Sequence, residues 1–97
     1  MMDKLNQIAK IIKSQIPEIQ EFEINTIESK RHVEYVIYFK LPDIFTRRDV
    51  EEFIEQYCDK IYDIVINNID LQYFDIRIKP FGTPFKRGFH VSIIIPK

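Results

Sequence analysis

The sequence predicts an α+β fold: a two-layer sandwich of order α-β-β-α-β-β, with a four-stranded, mainly antiparallel sheet and two helices on one of its faces. Three observations predict it. Two segments place apolar residues every three or four positions, the period of a half-buried helix. Four others alternate apolar and polar residues, the period of a strand with one wet face. The first two strands are joined by a three-residue polar turn and the last two by a Gly/Pro loop, so each pair reads as an antiparallel hairpin. At 97 residues the chain has the length of one domain, 1–97, able to bury a core without disulfides or metals.

Each element has a local reason. Met2, Leu5, Ile8, Ala9, Ile12 and Ile16 form the apolar stripe of a first helix, which Pro17 stops. Glu21–Glu28 alternates and reads as a strand, and Ser29-Lys30-Arg31 is a polar turn. His32–Leu41 is the clearest strand. Val33, Tyr35, Ile37, Phe39 and Leu41 share one face; His32, Glu34, Val36, Tyr38 and Lys40 share the other. After the connector Pro42–Phe45, Thr46 is placed as an N-cap with Asp49 as the acid of a capping box, and Phe45 is expected to staple onto Val50. The second helix is expected to end near Ile66, with Val50, Phe53, Ile54, Tyr57, Ile61, Ile64 and Val65 inward. Glu51, Glu52, Glu55, Asp59 and Asp63 form its solvated face. Leu71–Lys79 is expected as the third strand. Pro80–Gly88 follows as a loop in which Gly82 and Gly88 permit the reversal, and Phe89–Ile95 is the fourth strand.

Composition excludes some functions. Lys and Arg number 14 against 15 Asp and Glu, a net charge of -1. No global basic field exists to drive non-specific nucleic-acid binding. The lone Cys58 cannot form an intrachain disulfide, which fits a reducing compartment. No apolar run approaches the roughly 18 residues of a membrane span, so a cytoplasmic location is expected. There is no Walker loop, dinucleotide fingerprint, HExxH or CxxC. No cofactor and no metal are expected.

Two regions attract functional readings. Residues 79–90 hold both glycines, two prolines, three phenylalanines and clustered positive charge. Lys79, Phe81, Phe85, Lys86, Arg87 and His90 are the candidate partner-binding residues, the aromatics as anchors and the cations as contacts for an acidic surface or a phosphate backbone. This loop is also expected to be the most mobile segment. The outer face of the sheet would carry His32, Glu34, Tyr38, Tyr73, Asp75, Arg77, His90 and Ser92. Val36, Tyr38, Tyr73 and Ile94 make that face more apolar than a fully wet one, so they form a candidate dimer face. The uncharged run Ile93-Ile94-Ile95 would add an edge open to pairing.

Residues 3–80 loosely resemble the cytosolic domain of cation-diffusion-facilitator transporters, a ferredoxin-like αββαβ unit. The likeness lies in the element order and in two strings, Tyr38-Phe39-Lys40-Leu41-Pro42-Asp43 and Ile76-Arg77-Ile78-Lys79-Pro80. Tyr38 and Arg77 stand near where that family carries histidine metal ligands, and a fourth strand is added. The resemblance implies a metal-free, dimer-forming scaffold of ferredoxin-like type.

Together these features point to a small non-enzymatic protein that binds another protein and forms a homodimer, as an adaptor or inhibitor from a mobile element would. The alternative is a nucleic-acid-binding module using residues 79–90. The third reading is a small hydrolase or nuclease using His32, Glu34, Asp75 and His90 as acid/base groups.

Overall fold

The structure, a computed structural model, describes residues 1–81 and 85–97, with Phe81 described by its backbone. Its elements are α1 (Met2–Gln15), β1 (Glu21–Glu28), β2 (His32–Lys40), α2 (Arg47–Asn68), β3 (Asp75–Phe81) and β4 (Gly88–Pro96). The strands form one antiparallel sheet in the order β1-β2-β4-β3. The predicted α-β-β-α-β-β sandwich is therefore what the chain forms. Moving β4 ahead of α1 along the chain would give β-α-β-β-α-β with the same neighbours, the ferredoxin-like order.

The register exposes a symmetry that the sequence hides. Elements α1-β1-β2 and α2-β3-β4 are two αββ units, joined where β2 meets β4. The centre of that junction is the pair Val36 and Ser92. Asn25 flanks Val36 on one side and Arg77 flanks Ser92 on the other. An approximate two-fold through the Val36–Ser92 pair, normal to the sheet, relates the units.

Local chemistry explains the boundaries. The N-cap forms as predicted: Asp49 N–H donates to Thr46 Oγ1 at 3.1 Å, and Thr46 N–H donates to Asp49 Oδ2 at 2.8 Å. The bonds from the Thr46 backbone and hydroxyl hold the Asp49 carboxyl below the usual carboxylate range. Phe45 packs edge-on against Phe53, one turn beyond Val50. Helix α2 continues to Asn68, two residues past the expected end, because Asn68 Nδ2 donates to the Ile64 carbonyl at 2.7 Å.

Two expectations on the second hairpin change. β3 begins at Asp75 rather than Leu71, since its ladder starts where Asp75 meets Ile94. Leu71 and Phe74 pack against the core instead. The strand then runs through Pro80, which pairs with Phe89. An edge strand needs hydrogen bonds on one side only, so a missing N–H is tolerated there. The larger correction concerns β4. It lies between β2 and β3, so Ile93-Ile94-Ile95 has no free edge. The nearly uncharged strand takes the centre, and the charged strands β1 and β3 take the edges, as edge protection favours. The roles proposed for Gly82 and Pro84, and the expected mobility of that loop tip, lie outside the described residues.

The core fills the space between the helices and the inner sheet face. Leu5, Ile8, Ala9 and Ile12 of α1 and Val50, Phe53, Ile61, Ile64 and Val65 of α2 meet Ile37, Phe39, Phe89, Val91 and Ile93. Phe89 is the hub of the aromatic part. Its ring stacks on Phe39 at 5.1 Å and meets Phe53 at 5.5 Å between centroids. All outer-face residues of β2 and β4 are thereby aimed away from both helices.

Candidate interaction surface on the outer sheet face

Four rows cross the outer face from β1 to β3, each set by the pairing register. One runs Glu23, Tyr38, His90, Lys79; the next runs Asn25, Val36, Ser92, Arg77; the next runs Ile27, Glu34, Ile94, Asp75. A fourth begins Glu21, Lys40, Gly88 and reaches β3 at the backbone of Phe81. Alternation along each strand puts these residues on one side of the sheet.

The centre of this face is closed by its own side chains. Val36 is 2 % exposed and Ser92 fully buried, although neither faces a helix. They are small and sit between rows of larger side chains. Tyr38 and His90 stack at 6.0 Å between ring centroids, and His90 Nδ1 lies 3.3 Å from Ser92 Oγ. Val36 therefore has no surface to offer a partner, which corrects its expected place in a dimer face. Tyr38 and Ile94 are half-buried and Tyr73 is 74 % exposed. Tyr73, Asp75, Ile94 and Pro96 border a shallow open groove of about 260 Å³ at one end of the face. Ile27, 46 % exposed, stands in the same row as Ile94.

The charges of the two edges differ. Glu21 and Glu23 project from β1, while Arg77 and Lys79 project from β3; all four are exposed, as is Asp75, which puts a carboxylate on the β3 edge as well. Among the described residues none of these four has an ion-pair partner within the chain. For Glu21 and Glu23 the reason is distance: three strand spacings, about 14 Å, separate one edge of the sheet from the other. Glu21 and Glu23 escaped the sequence reading as site residues. Their alternation in β1 was the available signal, but strand order was needed to set them opposite Arg77 and Lys79.

The proposed acid/base group does not converge. Glu34 and Asp75 flank Ile94, two strand spacings apart, or about 9.5 Å between backbones. His90 lies two rows away, and His32 lies at the opposite end of β2 against Pro96. Ser92 touches His90 but is fully buried, so substrate has no path to its hydroxyl. Among the described residues no group of three or more His, Cys, Asp or Glu is placed to hold a metal. Cys58 Sγ donates to the Glu55 carbonyl at 3.7 Å.

The basic-aromatic segment divides into unlike parts. Lys79 and Lys86 are exposed. Arg87 is turned inward: its Nε–H donates to the Phe45 carbonyl at 2.7 Å, and its own carbonyl accepts from Leu41 N–H at 3.0 Å. It ties the start of β4 to the connector before α2. Phe85 is half-buried, and the side chain of Phe81 lies outside the described residues.

Burial holds the His90 imidazole below the usual value near 6.5; Glu34 opposes this shift and Lys79 adds to it. The neutral ring is thus the form that the fold prefers. In the window between the lowered folded value and 6.5, the unfolded chain binds more protons than the folded one. The contribution of His90 to stability is present above the unfolded value and is lost as pH falls through the folded value. Urea melts of the wild type and His90→Gln between pH 8 and 5 check this. The wild type should lose more stability on acidification than the variant, and equal slopes would contradict it.

No family model, curated protein or solved structure matches the chain. The resemblance to the transporter domain thus rests on element order and the two short strings alone. Among the described residues no helix is long and apolar enough to cross a membrane.

Proposed function

We propose that the protein is a non-catalytic binding protein of the cytoplasm that acts through protein–protein contact and self-associates through the outer face of its sheet. The observation that carries this reading is the uneven charge of that face: Glu21 and Glu23 exposed on one edge, and Arg77 and Lys79 exposed beside Asp75 on the other, none of them ion-paired within the chain among the described residues. The exposed Tyr73 borders one groove with the half-buried Ile94, and the exposed Ile27 lies in the same row as Ile94 beyond Glu34. Such a surface gives a partner both an apolar contact and an electrostatic register. A role as a small adaptor or inhibitor, including one from a mobile element, fits a chain of this size. The single Cys58 suits the reducing cytoplasm.

Nucleic-acid binding is disfavoured by two features. Arg87 is engaged with Phe45, and Glu21 and Glu23 share the face with Lys79. Hydrolysis is disfavoured by the dispersal of His32, Glu34, Asp75 and His90. Light scattering at micromolar concentration, alone and with single-stranded oligonucleotides across a salt series, separates the readings. The expected result is a mass near twice 11.7 kDa that added oligonucleotide leaves unchanged. A monomer that forms a salt-sensitive complex with the oligonucleotide would overturn it.

A further inference from the structure

We draw no further inference here: the strongest candidate, the shallow groove that Tyr73, Asp75, Ile94 and Pro96 border at one end of the outer sheet face, belongs to the surface already described, and nothing in the structure shows what covers it.

Discussion

Phe89→Ala is expected to lower the free energy of unfolding by about 3–5 kcal/mol, the range for truncating a large buried aromatic. Phe89 is fully buried, and its ring joins Phe39 of β2 to Phe53 of α2. It therefore links the two αββ units as well as the sheet to the helix. Its loss leaves a cavity walled by rings that are themselves held by neighbours: Phe22 against Phe39, and Tyr57 against Phe53. Such walls collapse poorly, which places the expected cost toward the upper end. Denaturant melts measure it. A loss below about 1 kcal/mol, far under the range for such a truncation, would mean that the helix layer is not packed on this sheet face.

Arg87→Ala should cost about 1.5–3 kcal/mol, the range for a hydrogen bond made by a charged group. The guanidinium donates to the Phe45 carbonyl at 2.7 Å, across 42 positions of sequence. That carbonyl lies just before the Thr46 cap, so the bond holds the entry of α2 against the start of β4. The same variant should leave self-association unchanged once folding is allowed for. Reduced partner binding with an unchanged melting curve would return Arg87 to the role of a contact residue.

The parts of the fold set by local chemistry were legible from the sequence. Alternation in His32–Lys40 sorted inward Ile37 and Phe39 from outward Tyr38, and Thr46 with Asp49 marked the start of α2. Strand order was not legible, because it depends on which hairpin edge buries more when two hairpins dock. The composition of β4 held a hint: its interior is nearly free of charge, as suits a strand with neighbours on both sides. Arg87 looked like a surface cation because its acceptor is a backbone carbonyl distant in sequence. Val36 looked exposed by alternation and was buried by its outer-face neighbours. The unequal charge of the two edges became visible only once β1 and β3 were known to be opposite edges.

The most direct test of the outer-face account is a dilution series followed by amide NMR spectra of the uniformly labelled protein. The account predicts concentration-dependent shifts at Glu23, Tyr38, Lys79, His90 and Ile94, with Glu51, Glu55 and Asp59 on the solvated face of α2 unmoved. Spectra invariant with concentration, or shifts gathered on α2 instead of the sheet, would contradict it.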